Sequence, residues 1–102
     1  RNILEMISKT APEYLRNYMK YFVDTGEKGE LSEKTKELIS IAIAVTSRCL
    51  PCTAFHVLSA VEYGATKKEI LEASEVAVLM GGSPSFVYLK HVIDACEEFG
   101  AG

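Results

Sequence analysis

Cys49, Cys52 and His56 fall within one short run, Cys49-Leu50-Pro51-Cys52-Thr53-Ala54-Phe55-His56, and Glu37 stands twelve residues ahead of Cys49. On a helix the offsets i, i+3 and i+7 place all three side chains on one face. Two thiols at this spacing close a small-ring disulfide once the first turn relaxes, and Pro51 between them stiffens the backbone and removes one N–H. Thiol chemistry runs through the thiolate, which a helix N-terminus or a neighbouring imidazole stabilises by lowering the thiol pKa from about 8.5. His56 follows Cys52 by four residues, within reach of its sulfur. Glu37 can orient that imidazole or relay a proton through water, as the third member of a nucleophile–base–orienter set. A helix N-terminus favours Cys49 as the attacking thiol, whereas adjacency to His56 favours Cys52.

Other chemistries use similar residues. A zinc site would take Cys49, Cys52 and His56, with Glu37 or Cys96 as fourth ligand, but structural zinc sites usually draw a second ligand pair from a second knuckle. A c-type haem signature fails because His56 does not directly follow Cys52. A thioredoxin-like motif needs a sheet, and only Ile39–Val45 alternates as a strand would. Plain packing is the remaining option, since free cysteines are among the most buried residues. Cys, Cys and His seldom coincide at these offsets by packing alone.

The elements that must position this set are helical. Thr10-Ala11-Pro12 reads as a helix start with Pro12 at the first position, and Tyr14, Leu15, Tyr18, Met19, Phe22 and Val23 follow at helical spacing. Gly26-Glu27-Lys28-Gly29 ends that helix, and Ser32 caps the next, which carries Glu37 near its start. Leu38 to Val45 is apolar almost all round and is expected to be deeply buried, as a helix rather than a strand. A further helix runs through Ala54 to Tyr63 and closes at Gly64. Thr66 with Glu69 forms a capping-box pattern before a helix over Ile70 to Met80. Gly81-Gly82 breaks it, Ser83 and Pro84 are expected as N-cap and first helical residue, and the last helix reaches Glu98. The expected fold class is therefore all-α, with five or six helices, and residues 1–102 are expected to form a single domain.

Bulk properties exclude several functions. A formal charge of −3 with scattered lysines argues against a nucleic-acid partner. No apolar run reaches the roughly 20 residues of a membrane helix, so no membrane partner is expected. The early residues lack a signal-peptide h-region, which points to a cytoplasmic setting. Three cysteines are too few for a secreted disulfide scaffold and read as a reactive pair plus one passive thiol.

With Glu37, eleven intervening residues, Cys49-x-x-Cys52-x-x-x-His56 and the apolar helix leading in, the chain resembles the AhpD-like (alkylhydroperoxidase-like) proteins of the carboxymuconolactone decarboxylase superfamily. The motif spans about 20 residues, and the rest of the helical layout is compatible with it. The resemblance implies an AhpD-like helical bundle that assembles into a homo-trimer or homo-hexamer. It also implies a peroxiredoxin-like, antioxidant activity that reduces a small hydroperoxide and is recycled by an external dithiol or thiol-protein reductant, without metal or organic cofactor. By the same resemblance, Cys52 attacks the peroxide, Cys49 resolves the sulfenic acid as a disulfide, and His56 with Glu37 relays the proton. The superfamily also implies lactone decarboxylation as an alternative, and the residues alone leave a zinc-binding or redox-sensing module as another. The chain departs from well-studied members at Pro51, where they carry a histidine, which removes a polar group beside the sulfur.

Of the remaining residues, Cys96 is expected to pack as a small hydrophobe and His91 to lie at a surface or interface. Gly81-Gly82-Ser83 reads as a helix–helix turn rather than an anion nest. The stripe Tyr14, Tyr18 and Phe22 is expected in a core or between subunits.

Overall fold

The computed structural model describes residues 2–102 as six helices with no strand among them: α1 (Ile3–Thr10), α2 (Pro12–Gly26), α3 (Glu33–Ser47), α4 (Leu50–Glu62), α5 (Lys67–Gly81) and α6 (Ser83–Glu98). The all-α expectation holds, and the alternating stretch Ile39–Val45 is helix, as its alanines favoured. No described helix is long and apolar enough to cross a membrane.

The punctuation residues act as their chemistry dictates. Ser32 Oγ accepts the Thr35 N–H, and at α5 both hydrogen bonds of the Thr66–Glu69 capping box are made. Gly64 takes a positive φ of 88° just past α4, a conformation that favours glycine. Other boundaries differ from expectation. Thr10 ends an unanticipated helix, α1, which Asn2 caps through its side chain, and Ala11 precedes Pro12 without a side-chain cap bond. Ser83 is the first residue of α6 rather than its N-cap. Gly82, at φ 73°, both closes α5 and opens α6, which leaves no room for a separate capping serine.

The core lies among α3, α4, α5 and α6. Ile41, Val45, Val57, Ala60, Ile70 and Val92 are fully enclosed there. Cys96 joins them at 1% exposure, packed as a small hydrophobe as expected. Burial pushes its thiol pKa up. Helices α1 and α2 contribute no buried residue at all. The expectation of deep burial over Leu38 to Val45 is therefore corrected. Ile41, Ala44 and Val45 face the core, but Ile39 and Ile43 are 45% and 59% exposed on the opposite face. The α2 stripe is likewise not core within one chain, since Tyr14 and Tyr18 are exposed and Phe22 is half-buried.

Helix α5 approaches α3 and α6 closely at its last residue. A Cβ on Gly81 would collide with the buried Ser85 side chain and come within 3.3 Å of Thr46 Cγ2. Overpacking of this kind costs roughly 1–3 kcal/mol, more than the up to ~1 kcal/mol that alanine gains over glycine inside a helix. Gly81→Ala is therefore expected to lower the melting temperature, by about 4–8 °C for each kcal/mol of net loss, as a circular-dichroism melt would record.

Candidate active site

The α3–α4 junction builds the site. Helix α3 stops at Arg48, a non-glycine residue in the left-handed region (φ 52°, ψ 48°) whose N–H bonds back to Ala44 and Val45 carbonyls. The Cys49 N–H also returns to the Ala44 carbonyl, at 3.0 Å. This reversal leaves Cys49 as N-cap of α4, where a polar atom is wanted to meet the free N–H groups of the first turn. The Cys49 sulfur takes that part, accepting the Cys52 N–H at 3.3 Å. Pro51 sits in the first turn, where its missing N–H leaves no intrahelical bond unmade. Thr53, fully buried, donates its hydroxyl to the Cys49 carbonyl at 2.9 Å and pins the turn from below.

Cys49 and Cys52 are joined as a disulfide with Cα atoms 5.3 Å apart. Cys52 is exposed and Cys49 half-buried. Negative charge developing on Cys49 as that bond opens would face the N-terminal end of α4 and the Cys52 N–H, both of which stabilise it.

His56 lies one turn further along α4. Its Nδ1–H donates to Glu37 Oε1 at 2.6 Å, a direct bond between α3 and α4 rather than one through water. Glu37 is only 8% exposed. Its carboxylate is thus held among helices with the imidazole as its hydrogen-bond partner, and the bond fixes the ring's orientation and tautomer. Two aromatic rings close around the imidazole: Phe55 edge-on with centroids 5.1 Å apart, and Phe22 from α2 stacked at 6.0 Å.

Two cavities open onto the sulfurs. One, of about 300 Å³, reaches Cys52 and His56 between apolar walls that include Leu4, Met19, Phe22 and Phe55. The other, of about 230 Å³, runs along α3 past Ser40 and Ser47 to both cysteines and His56. The four residues expected to carry chemistry are therefore brought together. Cys96 lies apart from them in the core, and among the described residues no group of three or more His, Cys, Asp or Glu is arranged to hold a metal ion. His91 is half-buried beside the Tyr88 ring, 4.7 Å between centroids.

Three contributors escaped the sequence reading. Leu4 belongs to the unexpected α1, Phe22 was one of a row of similar aromatics, and Thr53 looked like an ordinary helix residue.

Comparison with known proteins agrees with this architecture. The model of the carboxymuconolactone decarboxylase family matches residues 12–95. A solved member from Legionella pneumophila is 38% identical, with a TM-score of 0.89 over 94% of this chain and 86% of that one. Another, from Thermotoga maritima and described as having a possible involvement in antioxidative response, is 27% identical, with a TM-score of 0.86 over 95% of this chain and 83% of that one. An uncharacterized protein of Cupriavidus necator is 36% identical over 67 residues, 66% of this chain and 59% of its own length. "Uncharacterized protein 4 in cox locus" of Paracoccus denitrificans is 33% identical over 70 residues, 69% of this chain and 63% of its own. The matched segment thus spans about three fifths of these curated relatives. A match over most of the chain, on the same helical frame that brings Glu37, Cys49, Cys52 and His56 together, shows that the chain belongs to the carboxymuconolactone decarboxylase family.

Proposed function

We propose that this protein is a thiol-dependent peroxidase and disulfide reductase that works through the Cys49–Cys52 dithiol. The observation that carries the reading is an exposed Cys52, bonded to Cys49, at the base of an apolar cavity that it shares with a carboxylate-held histidine. The antioxidative description of the Thermotoga maritima relative points the same way.

In the reduced protein, His56 takes the Cys52 thiol proton, and the thiolate attacks the terminal oxygen of a hydroperoxide. The S–O bond forms as the O–O bond breaks; sulfur is oxidised to a sulfenic acid, and the alkoxide takes the proton back from His56 and leaves as alcohol. Cys49 then attacks the Cys52 sulfur and expels the hydroxyl, which leaves as water with the Cys49 proton. An external dithiol attacks the disulfide, gives up two electrons and two protons, and departs oxidised.

Thiol titration before and after one equivalent of hydroperoxide tests the cycle. Two thiols are expected to disappear, mapping by mass spectrometry to Cys49 and Cys52. Cys96 is expected to react with iodoacetamide only after unfolding, because it is enclosed and its pKa is raised by burial. Retention of all three thiols would overturn the redox reading.

We also propose that the protein works as a homo-oligomer. Helices α1 and α2 bury nothing, and at the α5–α6 corner Leu79, Met80 and Val87 are 81%, 79% and 71% exposed. Exposed apolar side chains on this scale mark surfaces that another molecule covers. Light scattering is expected to report a mass that is a multiple of 11.2 kDa; a monodisperse monomer at micromolar concentration would refute it.

A further inference from the structure

We infer that Phe22 is a positioning residue that shields the α2-facing side of the Glu37–His56 pair and stands between the apolar cavity at Cys52 and the cavity beside Glu37. A cavity of about 410 Å³ lies between α2 and α3, on the Glu37 side of the imidazole. It is distinct from the cavity of about 300 Å³ that reaches Cys52. Among the described residues, Phe22 and His56 alone line both. Between these two cavities stand a phenyl ring and the imidazole it stacks on, centroids 6.0 Å apart and planes 25° apart; the cavity of about 230 Å³ reaches the cysteines along α3 without Phe22. Phe55, 5.6 Å from Phe22 and edge-on to His56, braces the pair from α4.

The placement makes chemical sense. A carboxylate–imidazole hydrogen bond of 2.6 Å holds its geometry when water cannot compete for either partner. Glu37 and His56 also border the α2–α3 cavity, so Phe22 limits water's access to the pair from one side. The thiolate and hydroperoxide benefit likewise from a low-dielectric pocket, and Phe22 lines that pocket too.

Helix α2 buries no residue of its own in the core. It is latched where it ends. Lys36 Nζ donates to the Thr25 and Glu27 carbonyls at 2.9 and 2.7 Å, meeting carbonyls that the end of α2 would otherwise leave open. Lys36 immediately precedes Glu37, so the turn of α3 that offers the carboxylate also holds the helix that covers it.

The inference rests on the proposed role of His56 with Cys52, but its main test needs no turnover. In the oxidised, ¹⁵N-histidine-labelled protein, the His56 Nδ1–H is expected to give a downfield proton resonance that exchanges slowly with water. Phe22→Leu keeps an apolar side chain on α2 but loses the flat ring, and exchange is expected to quicken by about tenfold or more. Phe22→Trp restores a stacking ring and is expected to exchange at close to the wild-type rate. With an aryl hydroperoxide, kcat is expected to fall in the leucine variant and recover in the tryptophan variant. Circular dichroism on each variant reports that the helices are intact. Equal exchange rates in wild type and Phe22→Leu, or a wild-type resonance already lost to exchange near freezing, would overturn the inference. Loss of all hydroperoxide turnover in wild type would overturn the peroxidase reading and leave the exchange result standing.

Discussion

Cys52→Ser is expected to abolish hydroperoxide turnover with a dithiol reductant, by a factor on the order of a thousand or more, as removal of a covalent nucleophile does elsewhere. A serine hydroxyl at this exposed position stays un-ionised near neutral pH and lacks sulfur's reactivity toward the O–O bond. Cys49→Ser separates the two thiols. That variant should still consume one equivalent of hydroperoxide in a burst, because Cys52 and the Glu37–His56 pair remain, and then stall as the sulfenic acid because nothing resolves it. The opposite pattern, a burst in Cys52→Ser and none in Cys49→Ser, would make the N-cap cysteine the attacker. That outcome has a physical basis, since Cys49 receives the Cys52 N–H and faces the helix N-terminus. Exposure favours Cys52: it borders the apolar cavity that Cys49 does not reach. Stopped-flow peroxide consumption, with mass spectrometry of the quenched protein, distinguishes the two.

His56→Ala is expected to slow oxidation of the reduced protein by about 10²–10⁴-fold, the range for loss of a positioned general acid–base group. It should also destabilise the fold. Glu37 is 8% exposed and hydrogen-bonds His56 at 2.6 Å; with the imidazole gone, the buried acceptor is left short of a partner at a cost of roughly 1–3 kcal/mol. Glu37→Gln tests the same bond from the other side. The amide oxygen can still accept the Nδ1–H, but the carboxylate charge that stabilises an imidazolium is lost, so its rate should fall between wild type and His56→Ala. Denaturant melts and single-turnover oxidation report the two effects separately. An oxidation rate for His56→Ala within about threefold of wild type, where general acid–base groups contribute far more, would remove His56 from the mechanism.

Much of the local architecture was legible from residue types. Ser32, the Thr66–Glu69 pair, Gly64 and Pro12 are backbone punctuation, and each does in three dimensions what its donor, acceptor or φ preference requires. The Cys-x-x-Cys-x-x-x-His spacing was equally readable, because neighbours on one helix are set by its 3.6-residue period. Reading failed where burial had to be inferred from hydrophobicity. Ile39 and Ile43 are as apolar as Ile41, yet only Ile41 is enclosed. A pattern that is apolar on every face does not say which face meets the core.

The one-helix part of the site was thus written in the chain: two thiols and an imidazole, forced together by short-range geometry. The rest was settled by packing. Glu37 is 19 residues from His56 along the chain, and their bond exists because Arg48 turns left-handed and lays α3 against α4. Phe22 reaches the imidazole from α2, whose end Lys36 ties to α3. Contacts between elements depend on crossing angles and turn conformations that no local spacing encodes, so the dithiol and its candidate partners Glu37 and His56 were legible in the sequence, and the direct bond between those partners and its aromatic cover only in the fold.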